Sequence, residues 1–228
     1  MHDAADDGPG STDIAIRELR LAAICIGRAE KIAGKSRKTG INKIASDHPV
    51  MIGCDGIVGD AVCNRKYHGG PEQAVLLEGA TTLDWWSVTL GRSIPKGLFG
   101  ENVVISDLDN RDVAAGDIFR IGDELILQAT SPRTPCGTLA ARMGDLEFAH
   151  AYRRAARPGI YCRALKPGVV TAGDRVEHVL FDGIRIPIPE MLKNFGKRLS
   201  QEDVALYLSA PVHARLRSNI LASGKAKF

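Results

Sequence analysis

The stretch "AGDIFRIGDELILQATSPRTPC", Ala115–Cys136, contains the pattern on which the fold of this chain rests. Two apolar runs flank the turn residues "GDE", and the second run enters a loop stiffened by Pro132 and Pro135. Short apolar runs separated by Gly, Asp and Pro are typical of β-strands joined by tight turns. We therefore expect strands that lead into a rigid loop carrying Cys136.

The same pattern extends over more than half of the chain. From Ile16 to about Leu127, apolar runs such as "LRLAAICIG", "AVLLEG" and "ENVVISDL" alternate with Gly, Asp and Pro, which predicts a β-barrel or a β-sandwich. The segment "VAAGDIF", Val113–Phe119, is echoed by "VTAGDRV", Val170–Val176. Each segment is an apolar residue followed by a Gly-Asp turn and a new strand. Two such corners favour a closed barrel.

One helix is expected to interrupt the strands. In "ATTLDWWSVTLG" the apolar residues Leu83, Trp86 and Leu90 recur at helical spacing, and Gly91 suits the C-terminal stop of a helix. The two tryptophans are expected in the core or at an interface.

A second helical region follows the last predicted strands. After Ile186 the apolar residues recur with a period of 3.6, and Ser200 followed by Asp203 has the spacing of a helix cap. The fold class is therefore mainly β, a barrel with a few helices and a small C-terminal helical tail. We divide the chain into a disordered N-terminus (1–15), the barrel domain (16–183) and a helical extension (184–228). The apolar residues of the extension are expected to pack on one another, on the barrel or on a second subunit.

Composition and charge exclude several classes of protein. The 228 residues, 44% of them hydrophobic, are enough to bury a sizeable core. No apolar run approaches the roughly 20 residues that span a bilayer, and "MHDAADDGPGSTD" is too acidic for a signal peptide. We therefore expect a cytoplasmic protein without a membrane partner. The net charge of +3 does not indicate a nucleic-acid partner, and the basic loop Lys31–Lys43 suits an anionic small ligand better than DNA.

The five cysteines lie at positions 25, 54, 63, 136 and 162, and none of them forms a C-x-x-C pair. This spacing favours reduced thiols over a disulfide framework or a zinc knuckle. Four of them, Cys25, Cys54, Cys63 and Cys162, stand among apolar strand residues, and we expect them to be small buried apolar side chains.

Cys136 differs from the others in its local setting. Thr134 is expected to cap a helix, Pro135 suits the first helical position, and Cys136 then falls in the first turn. The helix terminus and the neighbouring Arg133 both favour the thiolate, so this thiol is expected to be the most reactive of the five. It is a candidate nucleophile, persulfide carrier or ligand to a soft metal centre. The alternative is again a small buried apolar residue.

Two further motifs contain candidate binding residues. In "RKYHGGPEQAVLLEG", Gly69 and Gly70 permit a backbone that turns successive N–H groups toward an anion, and Lys66 and His68 add side-chain donors. A tight turn between strands with a structural histidine explains the same motif. In "FGENVVI", Asn102 is able to donate to a ligand or to bond its own backbone.

Taken in order, "KTGINK", "GIVGD", "KYHGGPEQAVLL", "FGENV", "AGDIFRIG" and "SPRTPC" resemble the MOSC family, the domain named for the C-terminal part of molybdenum-cofactor sulfurase, in its compact YiiM-like branch. The resemblance covers roughly Leu19 to Val179. It implies a β-barrel that binds the molybdenum cofactor (molybdopterin), with Cys136 as the catalytic residue and the protein ligand to the metal.

The resemblance also implies how the remaining candidate residues act. Side chains and backbone expected to hold the cofactor's anionic and polar groups are Lys66, His68, Gly69, Gly70, Asn102, Arg133 and Thr134. One departure concerns Gly137, because many relatives have an aromatic residue directly after the cysteine. One wall of the pocket, and with it the substrate range, is therefore expected to differ.

Two functions remain open from the sequence, besides a third in which the barrel is catalytically silent and serves as an interaction module. The first is a reductase of N-hydroxylated small molecules that receives electrons from a separate donor protein, because the chain has neither a G-x-G-x-x-G fingerprint nor a cysteine set for an iron–sulfur cluster. The second is a carrier of the molybdenum cofactor or of persulfide sulfur without turnover, and its sulfur transfer would be independent of pyridoxal phosphate. A homodimer is compatible with either function.

Overall fold

The computed structural model describes residues 15–227, and the N-terminus expected to be disordered falls outside this range except for Ala15. Seven strands of the described chain form a closed barrel in the order β1-β6-β5-β9-β8-β7-β11, and β2 extends it beside β1. A separate three-stranded sheet has the order β10-β3-β4. The strands are β1 (Ile16–Gly27), β2 (Lys43–Ala45), β3 (Val50–Gly53), β4 (Gly56–Ile57), β5 (Val75–Gly79), β6 (Val103–Ile105), β7 (Ile118–Ile121), β8 (Leu125–Pro132), β9 (Ile160–Lys166), β10 (Gly168–Val170) and β11 (Arg175–Val179).

The barrel closes because the long strand β1 has two different partners. Its first half pairs antiparallel with β11, with Ile16 opposite Val179, and its second half pairs antiparallel with β6. The register shifts between Leu21 and Ala23, where the strand passes from one partner to the other. An irregularity of this kind bends a strand, which is what a closed sheet requires. The predicted β-barrel is therefore confirmed.

The two Gly-Asp corners have the same local structure. Asp117 accepts a hydrogen bond from the backbone N–H of Ala114, and Asp174 accepts one from the N–H of Thr171, each three residues earlier. The glycine before each aspartate has a positive φ, which an L side chain rarely adopts. The corners lead into β7 and β11, and these two strands pair with each other.

Six helices accompany the strands in the described residues. They are α1 (Ala80–Leu90), α2 (Gly137–Met143), α3 (Phe148–Ala155), α4 (Ile188–Asn194), α5 (Gln201–Ser209) and α6 (Ala214–Ser223). The predicted helix α1 ends at Gly91 in a left-handed conformation, and Ser200 caps α5 by accepting a hydrogen bond from the N–H of Asp203. Among the residues described, none of these helices is long and apolar enough to cross a bilayer.

The C-terminal helices pack on the barrel. Ile188, Tyr207, Leu216 and Ile220 are almost completely buried, and they belong to the same apolar cluster as the residues that fill the barrel. Of the three packing arrangements expected for the extension, the structure contains contacts with the barrel and among the helices themselves. The last barrel strand ends at Val179, and the first helix of the extension begins at Ile188.

A buried carboxylate joins the barrel to this extension. The side chain of Asp117 is fully buried and lies 2.9 Å from Nε2 of His178 and 2.7 Å from a guanidinium nitrogen of Arg185. Burial by itself raises the pKa of Asp117, but hydrogen bonds from His178 and from the backbone N–H groups of Ala114 and Phe181 outweigh it, so the pKa is lowered.

We expect Asp117→Ala to lower the free energy of unfolding by roughly 3 kcal/mol at pH 7, because it leaves a buried histidine and an arginine without their carboxylate. The folded-state pKa of Asp117 lies below its unfolded value, so this stabilisation is present above the ordinary carboxyl range and is lost as the pH falls through the lowered pKa. Urea unfolding at several pH values measures the difference between wild type and variant, which should shrink in acid.

The matched control is Asp112→Ala, which removes a half-exposed partner of Arg17 at 3.1 Å. A surface pair of this kind contributes about 1 kcal/mol or less. Equal losses of stability for the two variants would contradict the role assigned to Asp117.

Candidate functional site

A cavity of about 370 Å³ lies between the loops at one side of the barrel. Residues 35–41 of the basic loop and residues 60–64 form part of its wall, and His68, Arg133, Cys136 and Tyr161 also line it. Its volume is in the range of small-molecule sites in proteins. The structure thus brings the basic loop and the loop around Cys136 to a single cavity, although about 100 residues separate them in the sequence.

The backbone around Cys136 differs from the expected structure. We expected Thr134 to cap the helix, but α2 begins at Gly137 and Cys136 occupies the cap position in an extended conformation, with its carbonyl accepting from the N–H of Ala140. The chain stays extended because the N–H of Arg133 still donates to the carbonyl of Gly159, which continues the pairing of β8 with β9. The thiol is partly buried against an aromatic cluster that includes Trp86.

Arg133 is a buried cation at the end of β8. Arg133 is 4% exposed, its guanidinium donates to the carbonyl of Phe99, and it lines the cavity. Within residues 15–227 it forms no salt bridge. Burial by itself lowers the pKa of Arg133, but electrostatic interactions with Tyr152, Tyr161 and nearby groups raise it by more. The pKa is therefore raised overall, and the guanidinium keeps its charge. An unpaired buried charge is costly, and it is compensated when an anion binds beside it.

Two buried carboxyl groups lie close enough to influence Arg133, and burial raises the pKa of each. Burial, reinforced by Glu101, raises the pKa of Glu78 to about 8, although Asn110 donates a hydrogen bond to it. Burial also raises the pKa of Glu101, which accepts from the N–H of Gly97. At pH 7 Glu78 is therefore mostly protonated, and the positive charge of Arg133 remains available to a ligand in the cavity.

His68 presents a defined hydrogen-bonding face to the cavity. Its Nδ1 lies 2.9 Å from the hydroxyl of Tyr161. Burial, Arg133 and Lys43 lower the pKa of His68 to about 4, so the ring is neutral at pH 7. Burial raises the pKa of Tyr161 to about 12, so its hydroxyl keeps its proton at pH 7. We expect this hydroxyl to donate to Nδ1, which places the proton of the neutral ring on Nε2.

Asn102 braces the wall of the cavity. Its amide nitrogen donates to the carbonyl of Cys25 and to the carboxylate of Asp60, and its oxygen accepts from the N–H of Leu76. Asp60 in turn lies 2.5 Å from the ammonium of Lys43. Of the two expected uses of the asparagine, the structure contains the bonds within the protein. Its donors are occupied by these partners.

Of the other candidate residues, one lines the cavity and the rest lie outside it. Gly69 lines the cavity and both Gly69 and Gly70 have positive φ, as expected for a loop of this kind. Three candidate residues, Lys66, Gly70 and Thr134, do not line the cavity. The ammonium of Lys66 instead lies 5.4 Å from the ring centre of Tyr67.

The prediction for the other cysteines is half correct. Cys25 and Cys162 are buried as expected, and burial raises the pKa of the Cys25 thiol to about 12. The expectation that Cys54 and Cys63 are buried is wrong, because both lie in loops outside the strands and are exposed. Cys63 lines the same cavity as Cys136. Apolar neighbours in the sequence suggested a strand where the chain instead turns away from the core.

Sequence reasoning also missed Tyr161 and Asp60. Tyr161 stands beside Cys162 in an apolar strand pattern, and nothing in that pattern distinguishes the face that meets the cavity. Asp60 is the last residue of the quoted "GIVGD", where it has the pattern of an ordinary turn residue. Asp60 is recognised by its contacts with the buried Lys43 and Asn102. These contacts form only when the fold brings the three segments together.

The family model for the MOSC domain matches residues 64–177, half of the chain. The chain therefore belongs to the MOSC domain family. It is 34% identical over 144 residues to the uncharacterized protein YflK of Bacillus subtilis, a match that covers 63% of this chain and 65% of that protein. It is 30% identical over 152 residues to the protein YiiM of Escherichia coli, covering 64% and 66%.

A third relative is a protein of Gibberella moniliformis named Reductase. The identity is 30% over 163 residues, and the match covers 68% of this chain but only 28% of the fungal protein. The matches to these three relatives thus span at most 66% of their length.

Solved structures agree with the fold. YiiM from Geobacillus stearothermophilus superimposes with a TM-score of 0.73 at 24% identity, covering 90% of this chain and 98% of that chain. YiiM from Escherichia coli superimposes with a TM-score of 0.68 at 22% identity, covering 92% and 96%. The barrel and its helices are therefore the architecture of these structures.

We expect Tyr161→Phe to change the tautomer of His68, because the hydroxyl that is hydrogen-bonded to Nδ1 is removed. In wild type at pH 7 the neutral ring should carry its proton on Nε2, and the variant should contain a mixture of both tautomers. Long-range ¹H–¹⁵N correlation spectra of the histidine ring measure this directly. Tyr67→Phe, an exposed neighbour, should leave the spectrum unchanged. An identical tautomer in wild type and Tyr161→Phe would refute the assignment.

Proposed function

We propose that this chain binds the molybdenum cofactor in the cavity through Cys136 and reduces N-hydroxylated small molecules with electrons from a separate donor protein. The single observation that carries the proposal is the buried Arg133, which forms no salt bridge in the described part of the chain and lines the same cavity as Cys136. A cofactor that has both a soft metal and anionic groups complements this combination of a thiol and a cation.

The donor set fits the cofactor in three respects. Cys136 offers a sulfur ligand at the wall of a cavity of about 370 Å³. Arg133, whose charge is not neutralised by Glu78, offers a buried cation to an anionic group. The positive-φ backbone at Gly69 and the Nε2–H of His68 offer hydrogen-bond donors beside them.

When bound, the cofactor would supply the two-electron chemistry that removes oxygen from an N–OH group. The overall reaction is R–NH–OH + 2e⁻ + 2H⁺ → R–NH₂ + H₂O, and the electrons come from the donor protein. The role of the protein is to hold Cys136 at the wall of the cavity, to place positive charge at Arg133 and to orient polar groups through His68. A neutral His68 acts as a hydrogen-bond donor, because its lowered pKa leaves it uncharged at pH 7.

Two comparisons support the proposal. Membership of the MOSC family carries the association with the molybdenum cofactor. The Gibberella relative is named Reductase, and this chain corresponds to only 28% of it. A longer relative is compatible with an arrangement in which other parts of a protein supply electrons. We place the reaction in the cytoplasm, in line with the expectation from the sequence.

The experiment compares wild type with Cys136→Ser, both produced in a host that makes the cofactor. Serine is similar in size but is a harder ligand, so molybdenum content should fall by roughly ten-fold or more. The free energy of unfolding should change by about 1 kcal/mol or less, because the thiol is only partly buried. Molybdenum by mass spectrometry, pterin by fluorescence and hydroxylamine reduction with an artificial electron donor are the measurements.

Cys54→Ser is the matched control, because Cys54 is exposed and does not line the cavity. It should retain metal, pterin and activity. Full metal content and activity in Cys136→Ser would contradict the proposal. Wild-type protein that contains cyanide-labile sulfur but neither molybdenum nor pterin would instead indicate the sulfur carrier.

A further inference from the structure

An ammonium group lies where the residue after Cys136 would place its side chain. A Cβ atom built on Gly137 would be 3.1 Å from Nζ of Lys35, which belongs to the loop between β1 and β2. Gly137 does not have a positive φ, so its backbone accepts any residue, and the glycine matters for the space that it leaves. Lys35 fills that space next to the residue that follows Cys136, and both Lys35 and Cys136 line the cavity.

This contact gives the departure at Gly137 a physical meaning. Because Gly137 stands where many relatives have an aromatic residue, we expected this wall of the pocket to differ. In this chain the wall is a cation contributed by a different loop. A ring favours flat neutral groups through stacking, whereas an ammonium favours anions.

The charges that line the cavity are unevenly distributed. Five of its described lining residues are cationic and one is acidic; they are Lys35, Arg37, Lys38, Lys43 and Arg133 against Asp60. Lys43 and Asp60 form a buried pair at 2.5 Å and largely cancel each other. Arg133 is buried, and Lys35, Arg37 and Lys38 form no salt bridge within residues 15–227. Positive charge therefore remains both in the wall at Arg133 and on the basic loop.

We propose that Lys35, supported by Arg37 and Lys38, selects substrates that carry a carboxylate or phosphate group and holds that group beside Cys136. This inference rests on the proposed function for the identity of the reaction, but the attraction of anions to the thiol is independent of it. The cofactor also has anionic groups, so the same chemistry has two sources. The experiment separates them.

The first arm uses cofactor-free protein and two thiol reagents, the anion iodoacetate and the neutral iodoacetamide. The ratio of their rates at Cys136, followed by mass spectrometry of the peptide that contains it, cancels differences in access. A unit charge about 5 Å away in water changes a rate by about three- to four-fold, so Lys35→Met should lower the ratio by about three-fold. Salt should lower the wild-type ratio toward that of the variant.

Two variants serve as controls for the first arm. Lys35→Arg keeps the charge and should restore the ratio. Lys31→Met removes an exposed lysine of the same loop that does not line the cavity, and it should leave the ratio unchanged. An unchanged ratio in Lys35→Met would overturn the inference, even if molybdenum binding is established.

The second arm uses loaded protein and compares 4-carboxyphenylhydroxylamine with phenylhydroxylamine. Lys35→Met should retain its molybdenum, raise KM for the carboxylated substrate by about three-fold and leave KM for the neutral substrate unchanged. Loss of molybdenum or pterin in Lys35→Met would overturn the assignment to substrate, because the anion held by Lys35 would then belong to the cofactor. If wild type binds no molybdenum, the proposed function fails while the first arm still decides anion selection.

Discussion

The site depends on the burial of a cation that has no ion partner within residues 15–227. Arg133 stands where β8 leaves the barrel, and its guanidinium is held by the carbonyl of Phe99. Burial raises the pKa values of the nearby Glu78 and Glu101, and Glu78, with a pKa of about 8, is mostly protonated at pH 7 and does not neutralise the cation. A fold that retains such a charge loses stability in the empty state. That loss is offset when an anionic ligand enters the cavity, which ties the energetics of the barrel to its function.

Contacts within the protein hold the wall of the cavity around this cation. The aromatic cluster around Trp86 packs against Cys136, and the pair Lys43–Asp60 is hydrogen-bonded to Asn102 in the wall of the cavity. The C-terminal helices reach the same region, because the N–H of Ala214 donates to the carboxylate of Glu72 at 2.7 Å. The extension therefore stabilises the loop after His68 as well as the core of the barrel.

Local patterns in the sequence predicted most of the fold. The Gly-Asp corners and the helix that ends at Gly91 depend on backbone conformation and short-range hydrogen bonds, which neighbouring residues determine. The expected cap at Thr134 was wrong because a long-range hydrogen bond from Arg133 to Gly159, the residue before β9, keeps the chain extended. Contacts between distant segments, such as Lys35 with Gly137, are set by how the closed barrel brings its loops together, and no local pattern encodes them.

The most direct test of the central claim replaces Arg133 with Met, which has a similar length and no charge. If the cation is kept for a ligand, the unfolding free energy of the cofactor-free protein should fall by no more than about 1 kcal/mol or should rise, because an unpaired buried charge has been removed. The same variant, produced in a host that makes the cofactor, should contain little molybdenum or pterin. A variant that loses several kcal/mol of stability and still retains the cofactor would contradict the account.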